Sequence, residues 1–294
     1  MKNEYVGFTQ GFHTESLAIL DDNGSGVFYP RGFDPSVVKT DNIAFFERPY
    51  LKKTRQFAAG QYKTAFSKLN LKLKPKKYFP HHLCHAANAF QQSAYEHATV
   101  IVADSIGEWE TLSVWFACYD EYGYSHYKKL HSEAYPMSLG LFYSAITQRL
   151  GFKPNAQEKN MMFLSVCGTP QTELVRMMID NIHNKNFHRG CGDMYPNYKN
   201  EDIAASAQRA LEAVMSTYLC YASFPIPIMN KMPICMSGGV AFNSFMIDNF
   251  RKRGYNIFVP ENPGDPGSAI GAAALLYRKR ICSMTIVTTK NNSA

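Results

Sequence analysis

The residues best suited to chemistry are His81 and His85, four apart in Pro80-His-His-Leu-Cys-His85-Ala-Ala-Asn-Ala-Phe90. Proline favours a first helical turn, and no breaker follows before Gln92, so the spacing predicts a helix with both imidazoles on one face. The apolar run at 99–103 then reads as a strand that delivers Asp104 to a tight turn, Asp104-Ser-Ile-Gly107. Two imidazoles and a carboxylate brought together form a shell for a divalent metal. Left apart, the same residues are an ordinary capped, solvated helix start. A second carboxylate, Asp265, opens the small-residue helix Ala269-Ile-Gly-Ala-Ala-Ala-Leu275. There it either caps the helix, joins the shell, or holds Mg²⁺ against a phosphate. Gly238 and Gly239 follow an apolar strand, 233–236, and precede a helix. Paired glycines at such a turn let backbone N–H groups approach an anion or nucleotide, or simply allow close packing.

Positioning these groups requires a mixed α/β scaffold. Residues 4–10 and 16–20 read as strands, separated by Gly11-Phe-His-Thr-Glu15, with Asp21-Asp-Asn-Gly24 as a hairpin turn. Short strands are expected at 27–29 and 43–46, and a helix with a basic outer face over 50–73. A second strand–polar turn–strand unit covers 99–119 and the sheet continues over 124–130, so one pattern opens two halves of the chain. The pattern also fits two unrelated hairpins. Helices are expected at 138–151, 171–183 and 201–222, a polar loop at 155–170, an exposed insertion at 184–200, and a strand at 256–259.

The composition supports a full core, with 46% hydrophobic residues among 294, and excludes a disordered chain. Net charge is +7, with positive residues clustered at 52–55 and 68–77; such a face meets nucleic acid or nucleotide, or is merely solvated. Seven cysteines without a Cys-x-x-Cys pair, and no apolar leader after Met1, point to free thiols in a reducing cytoplasm. The uncharged run at 213–230 holds Pro225 and Pro227, reading as a buried helix passing into a loop, not a membrane span.

Six segments together resemble the amino-terminal domain of the O-carbamoyltransferases that modify nodulation factors and antibiotics. They are Gly11-Phe-His13-Thr-Glu-Ser16, Pro80-His-His-Leu-Cys-His85-Ala-Ala, Ala103-Asp104-Ser-Ile-Gly-Glu108-Trp109, Ser138-Leu-Gly-Leu-Phe-Tyr-Ser144, Ser237-Gly-Gly-Val-Ala-Phe-Asn243 and Gly264-Asp265-Pro-Gly-Ser-Ala-Ile-Gly271. The resemblance implies a duplicated actin-like ATPase (ribonuclease H-like) fold, shared with tRNA threonylcarbamoyl-transfer proteins, with two mixed-sheet subdomains around a nucleotide and metal cleft. The expected division is 1–98, 99–282 and a tail at 283–294.

The implied reaction is transfer of a carbamoyl group from carbamoyl-adenylate to an acceptor hydroxyl at a metal centre. Carbamoyl-adenylate itself comes from carbamoyl phosphate and ATP. By position His81, His85, Asp104 and Asp265 match the metal ligands, for Fe²⁺ first and Mn²⁺ or Zn²⁺ as alternatives. His13 matches the histidine beside the reacting group, and Gly107, Gly238, Gly239 and Asn243 fall to the nucleotide. The family's carboxy-terminal YrdC-like domain is not matched, which implies a separate carbamoyl-adenylate-forming partner. The region between the opening hairpin and the basic helix is compressed into 25–50. Asn160 stands where the family has a lysine, and Phe163 where it has a glycine that keeps the loop open. A non-catalytic nucleotide- and metal-binding partner subunit is the alternative function. The acceptor is a small molecule, a nucleoside or a base in nucleic acid, and the family implies a homodimer.

Overall fold

The computed structural model describes residues 3–11, 13–220 and 232–288. It opens with an antiparallel hairpin, β1 (Glu4–Thr9) and β2 (Ser16–Asp21), extended by β3 (Ser25–Tyr29). The Asp21 carboxylate accepts the backbone N–H groups of Asn23 and Ser25 and closes the β2–β3 turn. β4 (Ile43–Phe45) lies parallel to β1, and after α1 (Pro49–Ala58) and α2 (Tyr62–Ala65) comes β5 (Lys77–Tyr78), parallel to β4. α3 (His81–Phe90) leads to a three-stranded meander, β6 (His97–Gly107), β7 (Glu110–Tyr119) and β8 (Ser125–Ala134). A helical layer follows: α4 (Leu139–Arg149), α5 (Glu158–Leu164), α6 (Thr172–Asn184) and α7 (Asn200–Leu219). β9 (Ile234–Ser237) runs parallel to β6, and after α8 (Ser244–Lys252) β10 (Ile257–Phe258) runs parallel to β9. α9 (Ser268–Tyr277) and β11 (Ser283–Ile286) end the described chain.

The strands make two mixed sheets, ordered β11-β3-β2-β1-β4-β5 and β10-β9-β6-β7-β8. β1 pairs antiparallel with β2 and parallel with β4, and β6 does the same with β7 and β9. The doubled hairpin of the sequence is therefore one structural unit used twice. The two helices nearest the site cross between these units. α3 buries Ala86, Ala89 and Phe90 against Val100, Val102 and Trp115 of the second sheet. α9 buries Ala269, Ala273 and Ala274 with Ala18, Leu20 and Phe28 of the first. The helices also meet one another: a methyl group on Gly271 would collide with the Cys84 carbonyl, so the small residues permit contact between backbones.

Several expectations are corrected. The basic helix over 50–73 is two short helices, interrupted at Gly60 with φ +74°, a conformation that a side chain resists. Lys52 and Arg55 are buried, not solvated. The loop at 155–170 contains α5, and the insertion at 184–200 anchors Phe187 and Tyr195 in the core. Residues 283–286, assigned to a tail, pair with β3. Of the uncharged run at 213–230, the part after 220 lies outside the described residues. All seven cysteines carry free thiols. No helix among the described residues is long and apolar enough to cross a membrane.

Candidate metal centre and nucleotide cleft

The first turns of α3 hold His81 and His85, both fully buried, with their Nε2 atoms 3.0 Å apart. Asp104 lies on β6, where the pairing with β7 shifts register between Ala103 and Gly107, a bulge that turns a side chain out of the ladder. Its Oδ2 is 3.3 Å from His81 Nε2 and 3.9 Å from His85 Nε2. Asp265 starts the turn into α9, with Oδ1 3.3 Å from both Nε2 atoms. One donor atom from each of the four residues thus falls within 4.8 Å of the others. Donors bound to one ion at about 2.0–2.2 Å are separated by at most about 4.4 Å, so a small closure completes a shell.

The remaining polar atoms fit that arrangement. Gly239 N–H donates to Asp104 Oδ1 at 3.2 Å, leaving Oδ2 turned to the cluster. Ser237 Oγ donates to the Pro263 carbonyl at 2.9 Å and lies 3.4 Å from His85 Nδ1. With the hydroxyl proton used, Ser237 accepts from Nδ1–H and leaves the Nε2 lone pair for a metal. His13 Nδ1 holds Asp265 Oδ2 at 2.5 Å, so Oδ1 faces inward. His81 Nδ1 and Glu47 Oε1 are buried without hydrogen-bond partners, and Glu47 Oε2 lies 3.7 Å from that Nδ1. Glu47 is the carboxylate that a bound metal would draw toward His81.

Charge binds the cluster together. Burial disfavours a charged His81, yet the nearby carboxylates of Asp104, Asp265 and Glu47 hold its pKa well above the usual imidazole value. Burial and the neighbouring Asp265 raise the Asp104 pKa, but His81 and His85 outweigh them and hold it at about 2. Asp265 is held well below the carboxylate range against burial, first by His13. Glu47 is likewise held low against burial, by His13, His81 and Lys52. Three carboxylates thus keep protons on imidazoles, and a dication can replace those protons.

The site residues are not all equivalent. His82 turns away to bond Ser113 at 2.8 Å and is a core histidine. Gly107 packs under His81 and His82, whose rings a Cβ would strike; it gives the imidazoles room and does not line the cleft described below. Gly238, at φ +88°, backs onto Ala103 of β6. Gly239 and Asn243 do border that cleft, a space of about 960 Å³ running from His13, Asp104 and Asp265 past Ser244 to Glu158 and Lys159. Asn243 caps α8 through Met246 N–H and exchanges hydrogen bonds with Gln208. Phe163, which stands in place of the family's loop glycine, does not line the cleft. It is half exposed and packs edge-on to Phe245, while Lys159 and Met162 form the wall.

The sequence reading missed a second layer: Glu47 after β4, and Lys52 and Arg55 of α1. Lys52 Nζ contacts His13 Nε2 and donates to Glu47 Oε2 at 3.1 Å. Burial pulls the Lys52 pKa below the usual lysine range, against the pull of Glu47. An acidic residue directly after a short, fully apolar strand was the signal available for Glu47.

The family model described as carbamoyltransferase N-terminus matches residues 30–198 and 181–274. An uncharacterized protein of Synechocystis sp. is 28% identical over 282 residues, covering 86% of this chain and 44% of its own length. An uncharacterized protein of Methanocaldococcus jannaschii is 29% identical over 230 residues, covering 67% of this chain and 36% of its own. The chain therefore spans less than half the length of these curated relatives. Full-length HypF in its phosphate- and nucleotide-bound form superposes with a TM-score of 0.54 at 12% identity, over 93% of this chain and 55% of its own. The (R)-2-hydroxyglutaryl-CoA dehydratase component A of Acidaminococcus fermentans gives 0.51 at 14% identity, over 93% and 97%. The Clostridium difficile activator of 2-hydroxyisocaproyl-CoA dehydratase, solved with ADPNP, gives 0.50 at 15% identity, over 94% of each chain. These likenesses identify the fold as the actin-like ATPase fold.

Proposed function

Because the chain belongs to the carbamoyltransferase N-terminus family, we propose that it transfers a carbamoyl group from carbamoyl-adenylate to an acceptor hydroxyl. The observation that carries this is the convergence of His81, His85, Asp104 and Asp265, drawn from positions 184 residues apart, onto one point. These four residues would hold the divalent metal, Fe²⁺ in first place and Mn²⁺ or Zn²⁺ as alternatives. When bound, the metal supplies a Lewis acid for a phosphate or carbamoyl oxygen.

The chain's own groups do the rest. Gly239 and Asn243 border the nucleotide side of the cleft. His13 stands between that cleft and α1, with Nδ1 committed to Asp265 and Nε2 to Lys52. Its pKa is raised, because Asp265 outweighs the opposing burial. To take the acceptor proton, His13 must release Lys52 from Nε2, and the acceptor hydroxyl would replace that contact. Carbamoyl-adenylate is formed from carbamoyl phosphate and ATP on a YrdC-like unit, as a partner or as further sequence. A cytoplasmic location accords with the free thiols.

Metal analysis of the desalted protein beside His85→Ala and Asp265→Ala tests the centre. One equivalent in the parent and none in the variants is expected. Full metal in both variants would remove the site. Release of carbamate ester from carbamoyl-adenylate and an alcohol, only with metal, tests the transfer.

A further inference from the structure

α1 presents Lys52 and Arg55 on one face, three residues apart. Lys52 is partnered by Glu47 and His13. Arg55 is not comparably served: it is 5% exposed, and its Nε and Nη1 atoms are buried with no hydrogen-bond partner. Among the described residues no carboxylate forms an ion pair with it. The adjacent Gln56 is also 5% exposed, with Oε1 buried and unpartnered. A buried guanidinium without a directly paired counter-charge strongly destabilises a fold, and its planar fork suits a carboxylate or phosphate.

The surroundings come from both halves of the molecule. Tyr135, just after β8, and more weakly Glu47 act electrostatically on Arg55, and the charge of Arg55 acts on His188. The rings of Tyr135 and His188 lie 6.0 Å apart, edge to face. His188 in turn lies 3.3 Å from Gln61 Nε2, in the connection between α1 and α2. We propose that Arg55 receives an oxyanion, carboxylate or phosphate, carried by the carbamoyl acceptor. The word acceptor rests on the transferase function proposed above. His13 lines the nucleotide cleft, whereas neither Lys52 nor Arg55 does. A donor phosphate belongs on the Gly239 side of His13; an anion at Arg55 approaches from the other side, one helical turn from the Lys52–His13 contact. The acceptor is thus an anionic alcohol.

The test uses the full, Mn²⁺-loaded chain, with inorganic phosphate and acetate as fragments of the acceptor and AMP as a donor-side probe. Calorimetry and thermal melts should show phosphate or acetate binding to protein already saturated with AMP. Arg55→Gln should weaken that binding about ten- to a hundredfold and leave AMP within about twofold. Binding of neither anion to the parent, or equal binding to Arg55→Gln, would overturn the proposal. So would AMP that displaces the anion, since the oxyanion would then be the donor's. That competition is read on the parent protein and decides the matter even if Arg55→Gln does not fold. Anion binding lost in Arg55→Gln, in a protein that holds neither metal nor AMP, would overturn the transferase function while confirming the oxyanion site.

Discussion

The two hairpin units are built alike but equip the centre differently. In the second, β6 brings Asp104 directly into the cluster, and its parallel neighbour β9 ends at Ser237, which orients His85. In the first, the β1–β2 connection brings His13, one bond further out, and the parallel neighbour β4 ends before Glu47, which faces the far side of His81. The second unit thus supplies one carboxylate of the cluster and a residue behind it, the first only residues behind it, while the other three members stand on α3 and at the turn into α9. The two are joined by Arg48, whose backbone N–H and guanidinium both donate to Glu108 at the β6–β7 turn, the shortest contact being 2.5 Å. A duplicated frame can therefore equip its two copies unequally, with only one of them reaching the cluster directly.

Breaking the inner set should have the largest effect: Asp265→Ala should abolish retention of metal through desalting, read by elemental analysis, and leave a folded chain. Disturbing the outer set should do less. Glu47→Gln is expected to weaken metal binding about ten- to a hundredfold, measured by competition with a chelator. A comparable loss in Asp265→Ala and Glu47→Gln would erase the distinction between the inner and outer sets. Arg48→Met leaves Glu108, 4% exposed, without its guanidinium, and should destabilise the chain by about 2 kcal/mol in urea unfolding.

Acidity sharpens the same contrast. In the metal-free protein the raised His81 and His13 favour the folded state below the free imidazole value, and that contribution fades as pH rises through their folded values. The depressed Asp104 contributes above the free carboxylate value and loses its contribution as pH falls toward about 2. The cluster therefore stabilises metal-free protein most between about pH 4 and 6.5. A metal must displace the imidazole protons, so its affinity should rise about tenfold per pH unit for each proton released, up to the folded imidazole values. Titrations at several pH values check this slope. The smallest effect is expected from Phe163→Leu, half exposed and away from the cleft, within about 0.5 kcal/mol in unfolding.

Much of the frame was legible because it rests on local patterns. Alternating apolar runs and turn residues marked both hairpins, and i, i+4 spacing put His81 and His85 on one face. The boundaries within 50–73 were not legible, because Gly60 ends a helix only when the chain takes a positive φ there. α5 was hidden among polar residues whose covering partners lie elsewhere in the sequence. In the site, Asp104 and Asp265 announced themselves by standing at element ends. Lys52 and Arg55 did not, since the same charges on a helix ordinarily face water; Glu47, just after β4, offered that element-end signal alone.

By itself the sequence determined two strand–turn–strand units, the paired imidazoles, and the family to which the chain belongs; that the two units share one topology was settled by the strand pairing. The tertiary structure decided that α3 and α9 cross between sheets, that Asp265 meets both Nε2 atoms, and that α1 turns its cations inward. The physical reason is range. Periodicity and turn chemistry act over a few neighbouring residues, whereas burial of a charge depends on which distant surfaces close over it.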